Sequence, residues 1–271
     1  MIAAITVLFK PSESVYENIK TYLDYISSLY IVDNSPTTSN TLKKILGEKK
    51  VKLLSSSINI GLSKAYNLGL DRASQDGYSW LMVMDQDSFF DTLQIENFLE
   101  DFKKTKKNSL ALYAPLHNSK FLSQSEDRSV SIVMSSASIV NVDTALTLGG
   151  FDNALFIDEV DHEFCMRIEQ EGFIILQNHK TFVNHFLGKI GEDGRVKYSA
   201  TRLYYMVRNH LYIKNRYQNI YPEYFETRVP YIRKMIITQI WYHKQKMRRT
   251  MMVLAGIKDY YLHKMGKRYE F

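Results

Sequence analysis

Continuous apolar runs and amphipathic stretches alternate along the first half of the chain. Ile2-Ala3-Ala4-Ile5-Thr6-Val7-Leu8-Phe9 is β-prone throughout, which predicts a buried strand, and Lys10-Pro11 ends it. Behind Ser12, a candidate N-cap, Val15, Ile19, Tyr22, Leu23 and Ile26 recur at helical spacing. A second strand over 29–32 runs into the turn Asp33-Asn34-Ser35-Pro36. A short helix over 42–46 and a third strand over 51–54 follow. Asn59-Ile60-Gly61 opens a helix expected to turn Ala65, Leu68 and Leu70 inward. Residues 78–84 form a fourth strand that stops at Asp85-Gln86-Asp87-Ser88. Strands alternating with helices in this way predict βαβ units and a mostly parallel sheet. Right-handed crossovers gather the C-terminal strand ends on one edge, where open α/β sheets bind ligands. Four polar or turn-rich endings there suit a nucleotide pocket better than a protein-binding face.

The pattern continues with a helix over 92–106, strands over 110–115 and 130–134, and Ser135-Ser136-Ala137-Ser138 before a strand over 139–142. A short helix over 143–148 ends at Gly149-Gly150. An acidic stretch follows: Asp152, Asp158, Glu159, Asp161, Glu163. The helix expected over 161–171 puts Phe164, Cys165 and Ile168 on its apolar side, with Gly172 as its stop, so Cys165 reads as core packing. A strand over 173–176 precedes Val183-Asn184-His185. From Tyr198 the character changes. A helix carries Tyr204 and Tyr205 as core and Arg208 as a candidate phosphate ligand, and beyond Pro230 basic and apolar positions interleave around Trp241, Met251, Met252, Leu254 and Ile257. That interleaving suits an amphipathic helix at an anionic membrane surface; its bland counterpart is a solvated basic helix face.

Composition narrows this picture. The 271 residues are 45% hydrophobic, enough for one large domain or a domain with an appendage. A net charge of +6 is basic without demanding nucleic acid. The single cysteine excludes an internal disulfide and a Cys-rich zinc site, and fits a reducing compartment. The N-terminal run lacks the pattern of a signal peptide, and no uninterrupted stretch is long enough to span a bilayer.

Candidate chemistry begins at Asp85 and Asp87. Two carboxylates one residue apart at a strand end repel each other unless a cation or donors sit between them, and oxygen ligands suit Mg²⁺ or Mn²⁺ with substrate phosphates. Several segments then carry a resemblance: Val32-Asp33-Asn34-Ser35, Asn59-Ile60-Gly61 through Asn67-Leu68-Gly69, Met84-Asp85-Gln86-Asp87-Ser88, Gly149-Gly150-Phe151-Asp152, the run from Phe156 to Arg167, and Tyr204-Tyr205 with Arg208-Asn209. In their order and spacing they resemble the inverting family 2 nucleotide-sugar glycosyltransferases of the GT-A fold, and within them the bacterial rhamnosyltransferases. The resemblance implies a GT-A-like, Rossmann-related α/β domain over 1–197, its mostly parallel sheet flanked by helices, and a helical, basic amphipathic region over 198–271.

It also implies roles. Asp33 would receive the nucleotide base, while the backbone near Thr6, Phe9, Asn59 and Gly61, together with Asn67 and Asp85, would shape the donor pocket. Asp87 and Asp85 match the metal-binding D-x-D, and His185 a histidine that completes the metal site. Asp161 matches the catalytic base, and Glu163 an acid that contacts the acceptor or steadies the base. The family's acid directly before the base is here Val160, which leaves Asp158 as a competing base. The implied partners are a nucleotide-sugar donor, dTDP-L-rhamnose first, and a lipid-linked glycan acceptor of O-antigen, capsule or cell-wall type. The protein would sit in the cytoplasm, peripheral on the inner face of the membrane through its basic tail. Acceptor choice is expected to rest on loops around 188–197 and on the C-terminal helices.

Other readings stay open at the level of sequence. Asp161 could simply cap its helix, Asp33 could form a turn, and His185 could be a hydrogen-bonded structural residue. The same fold could use UDP-galactofuranose, UDP-glucose or UDP-galactose. A non-catalytic sugar-nucleotide or polysaccharide binder would not need all the acids present. A nucleic-acid binder would need a basic strand edge, whereas this edge gathers Asp33, Asp85, Asp87 and Asp161.

Overall fold

A computed structural model describes residues 1–106, 108–117, 119, 122–123, 127–185, 189–190 and 196–270. The chain divides into two compact units: Met1–Asp152 with Asp161–Phe186, and Asn153–Val160 with Leu187–Phe271.

In the first unit the apolar runs become parallel strands β1 (Ile2–Leu8), β2 (Ser28–Asp33), β3 (Val51–Ser55) and β4 (Trp80–Asp85). They are joined by α1 (Ser14–Leu23), α2 (Asn40–Leu46) and α3 (Leu62–Gln75). In register, Val7 of β1 faces both Val32 of β2 and Asp85 of β4, so the three strand ends lie level. Beyond β4 come β5 (Ser88–Phe89), α4 (Thr92–Lys104), β6 (Leu110–Leu116), β7 (Arg128–Ser129), β8 (Ser138–Asn141), α5 (Val142–Thr147), α6 (Val160–Gln170), β9 (Ile174–Phe182) and β10 (Asn184–His185). The eight-stranded sheet has the order β3-β2-β1-β4-β8-β6-β9-β7, with β8 antiparallel to both its neighbours and β7 an antiparallel edge. Ile19 and Tyr22 of α1 and Ile95 and Phe98 of α4 bury themselves with Ile31 and Met82 in one core cluster. Phe90, Phe98 and Tyr113 stack through it at ring separations of 5.9 and 5.2 Å. Apart from these, α3 packs on β1, β4 and α5.

Three expectations need correction here. Leu68 is exposed, because the buried face of α3 runs through Ala65, Tyr66, Gly69, Leu70 and Ala73 and leaves Leu68 off it. Ser12 does not cap α1, which begins at Ser14 after Glu13 with no side-chain cap. Residues 131–134 form no strand. The edge strand ends at Ser129, and the chain turns onto α6, where Ser131 donates to Glu169 and the Val133 carbonyl takes the buried Cys165 thiol.

The second unit contains the paired strands β11 (Lys189–Ile190) and β12 (Val196–Lys197), then α7 (Ala200–Tyr217), α8 (Pro222–Trp241) and α9 (Lys246–Tyr261). Of the 188–197 loops given to acceptor choice, Gly188 and 191–195 lie outside the described residues. Ser199 caps α7 by accepting from the Arg202 amide. Gly256 lets α9 approach α7 closely, since a Cβ there would stand 2.6 Å from the Tyr204 carbonyl oxygen. Arg208 is fully buried and donates to the carbonyls of Ala154, Lys264 and Gly266. A buried guanidinium committed to backbone oxygens corrects the expectation that it reaches a phosphate. Its neighbour Asn209, equally buried, donates to the carbonyls of Leu155, Ile157 and Asp158. Among the described residues no helix is long and apolar enough to cross a membrane.

Candidate active site

The level strand ends of the first unit are stitched into a cradle by amide side chains. Asn34, just past β2, donates its own amide to the Leu8 carbonyl, accepts from the Ile60 amide at 2.9 Å and reaches the Gly61 carbonyl at 3.5 Å. Asn59 accepts from the Gly61 amide at 3.0 Å, and Gly61 enters α3 at φ 82°, a conformation that favours glycine. Gln86 accepts from the Phe9 amide at 2.9 Å and donates to the Phe9 carbonyl at 3.2 Å, in the manner of a paired strand. Asp33 is buried and takes the Ser35 amide in a turn at 2.9 Å. The Thr6 hydroxyl is also buried and pairs with Tyr22, so only its backbone remains to shape a pocket. Asn67 spends both ends of its amide on the Phe151 backbone, at 2.7 and 2.8 Å. That pairing fastens α3 to the Gly149-Gly150 turn, where Gly150 has φ 70° and a Cβ would collide with Asn67.

Asp85, Asp87 and His185 come together as a set that could hold a metal ion, with one ligand atom from each within 4.8 Å of the others. The spacing has a local cause. β10 pairs antiparallel with β5, which sets His185 opposite Ser88, and Ser88 follows Asp87 directly. His185 Nδ1 lies 3.9 Å from Asp85 and 3.8 Å from Asp87. A hydroxyl chain orients the ring: the Asp85 amide donates to Ser136, Ser136 donates to Ser88 at 2.7 Å, and Ser88 meets Nδ1 at 2.6 Å. An imidazole nitrogen has a single in-plane lone pair, so in the tautomer protonated at Nε2 the Ser88 hydroxyl and a cation compete for Nδ1. Burial raises the Asp85 pKa to about 6, and the charges of Asp87 and Asp161 add to this against the opposing effect of His185 and the Tyr66 hydroxyl. Crowded carboxylates with one imidazole, all oxygen and nitrogen donors, fit a divalent cation such as Mg²⁺ or Mn²⁺.

The acidic stretch splits into three environments. Asp161, in the first turn of α6, keeps 24% of its side chain exposed and accepts from the His162 amide at 3.0 Å, with the His162 ring 4.0 Å away. Glu163 is fully buried. Arg167 grips it at 2.8 and 2.7 Å and carries on to the carbonyls of Leu148 and Gly150. In the second unit, Asp158 is held at both oxygens by Arg202, and Glu159 lies 3.1 Å from Arg228 and 3.7 Å from His210. Phe156, Asp158 and Glu159 all take positive φ, between 57° and 64°. Such strain persists only where surrounding bonds over-determine the backbone, as the Asn209 contacts do.

Sequence reasoning missed Tyr66, Ser136 and His117. Tyr66 donates to Asp85 at 3.3 Å, and burial holds its hydroxyl well above the usual phenol range. The His117 ring stands edge-on to His185 at 5.8 Å, and burial lowers its pKa to about 4. The Ser135–Ser138 run was visible as a polar strand start, but nothing marked Ser136 as the link between Asp85 and Ser88, or a lone histidine after β6 as a neighbour of the site.

A doubly wound sheet with paired aspartates at the end of its fourth strand is the arrangement of a GT-A glycosyltransferase. The chain belongs to Glycosyl transferase family 2, whose match spans residues 9–164. It is 28% identical over 240 residues to the dTDP-rhamnosyl transferase RfbF of Shigella flexneri, covering 77% of this chain and 78% of that protein. Two solved structures share the fold. One is GalNAc-T7 with UDP, GalNAc and Mn²⁺ (TM-score 0.64, 14% identity, 96% of this chain and 55% of that one). The other is S. aureus TarS (TM-score 0.62, 12% identity, 96% of this chain and 48% of that one). The chain thus spans about half the length of these two structures.

Proposed function

We propose that this glycosyltransferase is an inverting enzyme that moves L-rhamnose from dTDP-L-rhamnose to a growing cell-surface polysaccharide or its lipid-linked precursor. The observation that carries the enzymatic reading is the convergence of Asp85, Asp87 and His185 at the strand edge of a family 2 domain. The choice of rhamnose is supported by the likeness to a dTDP-rhamnosyl transferase.

Asp33 and the stitched backbone at Phe9 and Asn59–Gly61 receive the nucleoside. Asp85, Asp87 and His185 would hold a divalent ion, which would neutralise charge gathering on the departing diphosphate. Asp161 is the base. It takes the proton of the acceptor hydroxyl as that oxygen bonds to the anomeric carbon and the bond from that carbon to the diphosphate oxygen breaks, releasing dTDP in a single displacement. Glu163 acts on this step through Arg167 and the turn they anchor, as a positioning residue. Asp158, already saturated by Arg202, is poorly placed to accept a proton. The apolar, basic C-terminal region supports work on the lipid-linked precursor from the cytoplasmic face of the membrane, as a peripheral protein.

The test is incubation of purified protein and Mn²⁺ or Mg²⁺ with dTDP-L-rhamnose, UDP-galactofuranose, UDP-glucose and UDP-galactose in turn, over synthetic lipid-linked acceptors, with products read by mass spectrometry. A deoxyhexose mass increment from the rhamnose donor alone is expected. Transfer only from a UDP donor would replace the donor assignment, and binding without transfer from any donor would remove the enzymatic one.

A further inference from the structure

Helix α9 has two faces. Arg249, Gly256 and Asp259 are buried, and on that side Gly256 meets Tyr204 while Asp259 accepts from the Tyr204 hydroxyl at 2.7 Å. A second face carries Met247, Met251, Leu254 and Tyr261, spaced four, three and seven residues apart so that they form one stripe. All four are open to solvent, at 79%, 63%, 59% and 70% exposure. At the start of α9, Lys246 sits over the ring of Trp241, the 68%-exposed last residue of α8, with its ammonium 5.1 Å from the ring centroid. The apolar stripe therefore begins beside an exposed indole.

Charge decides what covers this stripe. Residues 229–268 hold ten Lys and Arg and a single acid, Asp259, which is buried and tied to Tyr204 and to Arg268. Lys258 falls within the stripe between Leu254 and Tyr261, while Lys244, Lys246 and Arg248 border its start, and all four are exposed. A second copy placed stripe to stripe would oppose these cations with one another, which is unfavourable. A nucleic acid would satisfy the cations and leave the methionines and Leu254 in water. An anionic lipid surface satisfies both, since acyl chains take the stripe, headgroups take the cations, and indole and phenol rings favour the interface.

We propose that the exposed face of α9, together with Trp241, docks on an anionic lipid leaflet. The proposal gives a surface to the peripheral placement suggested above, and vesicle binding scores it without any transfer reaction. The full chain with Trp80→Phe, which leaves Trp241 as the sole tryptophan of the two present, is mixed with phosphatidylglycerol–phosphatidylcholine vesicles and with phosphatidylcholine vesicles alone. Co-sedimentation and a blue shift of Trp241 emission are expected with the anionic vesicles, weakening with added salt. Met247→Ser/Met251→Ser/Leu254→Ser should bind at least tenfold more weakly while melting as the parent does, its changes being at exposed positions. Lys246→Glu/Arg248→Glu should also lose the preference for anionic vesicles. Equal sedimentation of the parent and the triple variant would overturn the proposal. So would a parent that ignores vesicles but forms a dimer that the triple variant dissociates.

Discussion

Carboxylates of one kind meet two fates in this protein. In the first unit Asp85, Asp87 and Asp161 keep part of their side chains exposed, while Glu163, two residues beyond Asp161, is sealed under Arg167. In the second unit Asp158 and Glu159 are gripped by arginines in a strained segment. What separates the groups is how many donors the fold has already assigned to them. A carboxylate whose lone pairs are filled by a guanidinium fixes geometry, whereas one left half-dressed can take a proton or a cation. The same composition thus yields scaffold and chemistry a few residues apart.

The widest test of that contrast is Asp161→Asn. On the proposed role, turnover falls by about 10²–10⁴-fold, with donor affinity and melting temperature held. Full loss in Asp158→Asn with activity kept in Asp161→Asn would invert the two roles. Next is Glu163→Ala, which strands Arg167 in the interior and should lower unfolding free energy by about 3–5 kcal/mol, read from chemical denaturation. A fall in turnover with unchanged stability would instead place Glu163 among the reacting groups. Smallest in its effect on the fold is Asp87→Ala, where calorimetric titration should show Mn²⁺ affinity reduced by about tenfold or more with unfolding unaffected. Identical titrations for parent and variant would remove Asp87 from the metal set.

The sheet was readable because β1, β2 and β4 are continuous apolar runs that end sharply at polar turns, and parallel connections then force their ends together. His185 could be named but not placed, since its approach to Asp85 depends on the two-residue pairing of β10 with β5, which is too short to leave a periodic trace. The 130–134 segment reads as a strand because its apolar residues suit one equally well, yet Ser131 and Val133 find partners on α6. Arg208 shows the same limit. An arginine beside tyrosines looks like a ligand grip, and only the three-dimensional path of the carbonyls from Ala154 and the 264–266 turn shows that it closes the interior. Local pattern reports which residues prefer burial, and it is silent on which distant oxygen a donor will meet.

Gln86 gives the site an adjustment screw. Because its carboxamide locks onto both backbone groups of Phe9, the residue between the two aspartates is fastened to the neighbouring strand, and the aspartates on either side are carried with it. The segment that carries both candidate ligands is therefore tied to the neighbouring strand by a side chain outside the candidate set. A substitution at position 86 would loosen that tie while leaving Asp85, Asp87 and His185 in place.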